Sequence, residues 1–154
     1  MFSKNRHFAL AKKHVVEQAR KALFGLYKKI RNLDLSIDCQ LKLFDHTIVP
    51  ILTHGCETWG FGDLSLIEKV QTDFFKHILK VKRSTPHVML YGELGRYPLS
   101  IVIKKRIVGY WYNLVTCDSN KLCSSIYKLM FSHFSSNANF KWLSCVKQYL
   151  MTVV

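Results

Sequence analysis

The chain has 154 residues, with 23 Lys and Arg against 10 Asp and Glu, a formal charge of +13 with neutral histidines. That length fits one domain burying roughly 68–70% of the surface its unfolded form exposes, and a composition 49% hydrophobic and 13% aromatic argues against intrinsic disorder. Charge so unbalanced on so apolar a chain points to phosphate, an acidic partner or an anionic membrane surface.

No segment reads as membrane-spanning. The longest uncharged apolar-rich run, Ile107 to Cys117, falls well short of the ~20 residues a spanning helix needs. The basic start is followed by Lys12, Lys13 and His14 instead of a secretory apolar stretch, so an intracellular protein of the nucleus or cytoplasm is expected. The five cysteines, Cys39, Cys56, Cys117, Cys123 and Cys145, form no Cys-x-x-Cys pair and read as small core residues in a reducing compartment.

Apolar residues recur at three- and four-residue spacing between few prolines and glycines, which predicts an all-α fold of about six or seven helices in an irregular bundle. The first helix is expected from Phe8 to Arg31. Val15, Ala19, Ala22, Leu23, Leu26 and Ile30 share one arc of roughly 140°. The opposite side gathers Lys13, Arg20, Lys21, Lys28 and Arg31 around Phe24, with Glu17 the helix's only acid. A second helix starts at Ser36, whose hydroxyl suits an N-cap, and runs through Leu41, Phe44, Ile48 and Ile51, bending or stopping at Pro50.

Thr53 to Gly62, with three glycines and two large aromatics, reads as a compact connector pinned by Trp59. Ser65 and Glu68 have capping-box spacing at the start of a third helix with Ile67, Val70, Phe74, Ile78 and Val81 on its apolar stripe, ended by Lys80, Lys82 and Arg83. Ser84, Thr85 and Pro86 open a short helix, with proline at its first position, that Gly95 stops. Pro98 opens a fifth, Leu99 to Leu114, apolar on nearly all sides except at Lys104, Lys105 and Arg106, as in a helix central to a core or covered by a partner.

Asp118, Ser119 and Asn120 break the chain, a helix follows over Leu122 to Phe134, and residues 135–139 read as a loop. The last helix carries Phe140, Leu143, Val146 and Leu150. Apolar Met151, Val153 and Val154 at the end suggest a piece cut from a larger protein.

Catalytic patterns are missing. Two-metal nucleotidyl transfer needs carboxylates close enough to share ions, yet the ten acids stand singly and no Asp-Asp pair exists. Asp38, Asp45 and His46 read as solvated polar positions, and His54 near Cys56 as a connector histidine beside a buried thiol. The chain alone is therefore expected to be no enzyme, with no cofactor and no metal.

The basic stripe is the strongest physical signal. Lys and Arg contacts to phosphate supply most non-specific nucleic-acid affinity, and an aromatic among them stacks on a base or sugar. The alternative is a solvated helix face with Phe24 packed on a neighbouring helix. Such faces normally mix both signs, so the excess favours nucleic acid, with Lys12, Lys13, Arg20, Lys21, Phe24, Lys28, Lys29 and Arg31 as candidate contacts.

Several stretches together carry a resemblance: Ala11 to His14 through Arg20 to Leu23; Asp38 to Asp45; Val49 to Thr53; Gly55-Cys56-Glu57-Thr58-Trp59-Gly60; Lys82 to Pro86; and Tyr91 to Pro98. They resemble the segment downstream of the polymerase core in non-LTR (LINE-type, jockey-like) retrotransposon reverse transcriptases, over most of the chain from Phe2 to Tyr149. His54 departs from the tyrosine common there.

The resemblance implies that Phe2 to Arg6 correspond to the end of the palm, with the catalytic carboxylates of an RNA-directed DNA polymerase lying upstream. Residues 1–35 would then be a thumb-like basic helix and 36–154 a helical linker-like region, with no zinc knuckle. RNA or RNA–DNA duplex is the implied partner, held by its backbone. The missing polymerase core or another protein would dock on the helix of Tyr110, Trp111 and Tyr112, and a basic protein-interaction module is the second reading.

Overall fold

The structure, a computed structural model, describes residues 8–31, 33–117, 122–136 and 141–153. Among them there are eight helices and no strand: α1 (Ala9–Arg31), α2 (Ile37–Leu52), α3 (Cys56–Trp59), α4 (Ser65–Ile78), α5 (His87–Leu94), α6 (Leu99–Thr116), α7 (Leu122–Ser136) and α8 (Lys141–Val153). The all-α expectation holds. The additional helix is α3, a single turn inside the glycine-flanked connector. Phe2 to Arg6, the break at Asp118 to Asn120, residues 137–139 of the expected loop and Phe140 lie outside the described residues, while Ser135 and Ser136, expected in that loop, instead belong to α7.

The described residues fall into two compact units. One takes in those up to Gly55 together with Gly62–Ile101; the other takes in Cys56–Phe61 and those from Val102 onward. The first unit holds α1 together with α2, α4 and α5.

In the first unit α1 packs on α2 and α4. Its buried stripe is Val16, Ala19, Leu23, Leu26 and Ile30. Val16 replaces the expected Val15, and Ala22 sits at the stripe's edge, because the core-facing arc is centred slightly further round the helix. Leu41, Phe44, Ile48 and Leu52 of α2 meet Ile67, Val70, Phe74 and Phe75 of α4 in one apolar core. The Phe44 and Phe74 rings stack at 4.3 Å between centroids. Arg96 ties the segment after α5 to Asp45 of α2 with a 2.6 Å contact.

The Ser36 hydroxyl caps α2 as expected, accepting from Cys39 N at 3.4 Å. Pro50 does not stop that helix, which continues to Leu52. Thr53 closes the end instead, its N–H and hydroxyl both donating to Val49 O at 2.9 and 2.8 Å.

The capping box at α4 does not form. Ser65 is the first helical residue, and the Asp63 carboxylate accepts its N–H at 2.8 Å and its hydroxyl at 3.0 Å. Glu68 reaches a different helix. Its carboxylate accepts from Ser100 N at 2.7 Å and from the Tyr91 hydroxyl at 2.8 Å, while Gln71 Oε1 accepts from Leu99 N at 3.2 Å. Side chains of α4 thus satisfy the free N–H groups of α6's first turn, which Pro98 alone would leave open.

α4 ends at Ile78, earlier than the basic cluster suggested. Lys80 takes a left-handed backbone (φ 53) while Val81 N closes back on Lys76 O at 3.2 Å. Val81 is therefore exposed. Pro86 serves as the N-cap of α5 instead of its first helical residue, and left-handed Gly95 ends α5 with Arg96 N on Tyr91 O at 3.0 Å.

In the second unit Cys56, Trp59, Ile103, Ile107, Leu143 and Val146 are buried. Trp142 Nε1 donates to Glu57 O at 2.9 Å, and the Phe61 ring stacks on Tyr149 at 5.7 Å. Gly60 is there because nothing larger fits. A Cβ at this position would lie 2.5 Å from both Cys56 O and Ile103 Cγ2. The apolar sequence of α6 buries only the stripe Leu99, Ile103 and Ile107, whereas Tyr110, Tyr112 and Val115 stay exposed. Trp111 is half-buried, with Nε1 donating to the Tyr127 hydroxyl at 3.2 Å. No helix among the described residues is long and apolar enough to cross a membrane.

Candidate nucleic-acid interface

Burying one stripe of α1 decides where its cations go. With about 100° between successive residues, Lys13, Arg20, Phe24, Lys28, Arg31 and Lys21 fall within one arc of the side away from the core, and all are exposed. From Lys13 to Arg31 this stripe runs about 27 Å along the axis. Glu17 lies within it as its only acid. Phe24 is 75% exposed, so it is not packed against a neighbouring helix and stands as an open ring with Arg20 and Lys28 one turn to either side.

Two of the expected contacts are placed differently. Lys12 points toward the body, half-buried, its ammonium donating to Asp63 O at 2.9 Å. Burial holds its pKa below the usual lysine value despite the nearby Asp63 charge. Lys29 is exposed but lies about 100° further round the helix from Lys28, outside the stripe.

Two grooves border the stripe. The first, of about 1090 Å³, lies between α1 and α4 and continues under residues 81–87. Arg20 enters it from α1, Lys69 and Lys76 from α4, and Arg83 and His87 from beyond α4. Lys69 and Lys76 are seven residues apart, two turns along one helix face, and Lys76 Nζ donates to Arg83 O at 2.7 Å, which fixes the connecting loop against α4. Glu68 and Asp73 are the groove's acids. Glu68 already accepts the two bonds described above, and Asp73 stays exposed.

The second groove, of about 910 Å³, lies at the C-terminal ends of α1 and α4. Phe24, Lys28 and Arg31 line one side and Ile78 and Lys80 the other. Tyr27 and His77 line both grooves, their rings 4.1 Å apart between centroids, so they form the wall separating the two. Burial, with the Asp73 charge adding to it, pushes the Tyr27 phenol up to about 12. It therefore remains an uncharged hydrogen-bonding group at any physiological pH.

The α1 stripe was visible in the sequence because it lies on one helix. Lys69 and Lys76 carry no such local signal, since nothing in the sequence says which face of α4 turns toward α1. Lys80, Lys82 and Arg83 read there only as helix-ending charges.

No group of three or more His, Cys, Asp or Glu among the described residues could hold a metal ion. Asp45 is paired with Arg96. The Cys56 side chain is fully buried, and burial together with the Glu57 charge pushes its thiol up to about 11, leaving almost no thiolate at neutral pH.

Compared with family models, curated proteins and solved structures, the chain matches none.

Proposed function

We propose that this chain grips nucleic acid by its backbone, without reading sequence, and that it corresponds to the region following the palm of a non-LTR retrotransposon reverse transcriptase. RNA or an RNA–DNA duplex is the ligand in this reading. The chain contributes the grip and no catalysis of its own, the polymerase carboxylates belonging to the parent protein. The observation that carries the reading is the exposed α1 face: five cations around an open aromatic ring, with one acid among them. A face needed only for solubility would mix its charges and would not expose a phenyl ring at their centre. The resemblance of the sequence to the reverse-transcriptase segment points to the same ligand independently.

Binding of an RNA–DNA hybrid measured against salt tests this. If Lys13, Arg20, Lys21, Lys28 and Arg31 each neutralise one phosphate, log K falls with log salt at a slope of about −4.5 on the B-DNA scale. Charge reversal at Arg20, Lys21 and Lys28 removes about three of those contacts and flattens the slope accordingly. Affinity that ignores salt, or that survives the triple reversal, overturns the reading.

The second reading, a basic protein-interaction module, is favoured by the exposed Tyr112, Val115, Leu122 and Leu129 of the second unit. Under it Trp111 is not the anchor, because its indole N–H is already engaged by Tyr127. A stable partner that shields Tyr112 would favour this reading.

A further inference from the structure

The groove at the C-terminal ends of α1 and α4 differs from the α1 stripe in one respect that the backbone-binding reading does not need. It has an apolar interior. Ile30, Leu33, Leu35 and Ile78 contribute carbon surface to its lining, and Leu33 is 56% exposed there. Three cations, Lys28, Arg31 and Lys80, stand against a single acid, Asp34. Phe24, the open ring of the stripe, borders the same groove.

Lys28 and Arg31 also suit the negative end of α1 as last-turn cations. That role explains their charge but neither the exposed ring nor the exposed Leu33. Lys80 is held in a left-handed backbone that glycine or asparagine adopts more readily. A phosphate track needs cations alone. A ring and a carbon-lined hollow beside cations suit a planar, uncharged group attached to a phosphate, and a volume of about 910 Å³ accommodates one.

We propose that this groove takes an unpaired base, so that the preferred ligand is a duplex carrying a single-stranded nucleotide at its end. The base lies against the Phe24 ring, and the adjoining phosphates meet Lys28, Arg31 and Lys80. This assignment rests on the backbone-binding reading: the α1 stripe carries the duplex and the groove selects the junction.

The test uses the full chain and three RNA–DNA hybrids of equal phosphate number. One is blunt, one ends in an unpaired 2-aminopurine nucleotide, and one ends in an abasic nucleotide. The base-carrying overhang binds roughly 5- to 150-fold tighter than the abasic one, the range that base–aromatic stacking provides, and 2-aminopurine fluorescence is quenched on binding. Phe24→Ala brings the base-carrying hybrid down to the abasic level, whereas Phe24→Tyr keeps the difference. Because Phe24 is exposed and mid-helix, neither variant disturbs the core, and unchanged far-UV circular dichroism verifies this.

Equal affinity for the base-carrying and abasic overhangs, with salt-sensitive binding intact, overturns the groove assignment and leaves the backbone reading standing. Loss of salt-sensitive binding to all three hybrids overturns both. Fluorescent polyglutamate binding as tightly as the hybrids replaces nucleic acid with an acidic protein as the ligand of this face.

Discussion

Replacing Glu68 with alanine removes one carboxylate that serves two separate segments. Its oxygens accept from Ser100 N at 2.7 Å and from the Tyr91 hydroxyl at 2.8 Å. Hydrogen bonds to a charged group contribute about 1.5–3 kcal/mol each, but Glu68 is half-exposed at a groove and water replaces part of both. The Tyr91 hydroxyl also keeps Gln71 Oε1 at 3.4 Å. The net loss for Glu68→Ala is therefore about 2 kcal/mol, or a fall of roughly 1 M in the urea midpoint at a slope of ~2 kcal/mol/M.

Glu68→Gln keeps an acceptor for Ser100 N and offers its amide to the Tyr91 oxygen, so its cost stays below about 1 kcal/mol. The assay must follow the first unit. Trp59, Trp111 and Trp142 all lie in the other one, so far-UV circular dichroism and amide exchange at Leu99 and Ser100 are the readouts. An alanine variant that unfolds at the parent midpoint, or a glutamine variant as damaged as the alanine one, would refute the cross-helix cap.

Gly60→Ala forces a methyl group to within 2.5 Å of Cys56 O, and that oxygen is held in place by accepting Gly60 N at 2.7 Å. The second unit should lose about 1–3 kcal/mol, seen in tryptophan fluorescence, and an unchanged transition would refute the close approach. Tyr27 is expected to ionise near 12 in the folded protein, against about 10 unfolded. Between those values the unfolded chain releases a proton that the folded one keeps, so stability falls as pH rises through that window. Tyr27→Phe should reduce this fall, and phenolate absorbance showing Tyr27 half-ionised near 10 in the folded state would count against its burial.

Local and remote determinants were unequally legible in the sequence. The face of α1 could be read because periodicity and charge sit on the same 23 residues, and it was misplaced by only one position at Val16. The Ser36 and Gly95 caps act within a turn of themselves and were equally visible. Glu68 shows where that logic stops. Its spacing from Ser65 matched a local cap, but Asp63 was nearer for Ser65 and the N–H groups of α6 claimed the carboxylate across 32 residues of sequence.

The same limit applies to the candidate interface. Phe24 and its flanking cations were legible, whereas the walls formed by Leu33, Ile78 and Lys80 depend on how α4 lies against α1. Pro50 marks a different gap. Its missing donor leaves a carbonyl without its helical partner but does not forbid the next turn, and Thr53 supplies the closing bonds.

Lys80 allows the demands of folding and of binding to be separated. A lysine at φ 53 carries a backbone cost of about 1–2 kcal/mol that glycine would relieve. In a library randomised at this position, selection for protease resistance should converge on glycine or asparagine, while selection for retention on an immobilised overhang hybrid should keep lysine or arginine. If both selections return glycine, the left-handed turn is only a way of ending α4; if they diverge, position 80 is a place where this protein has given up stability to keep a charge.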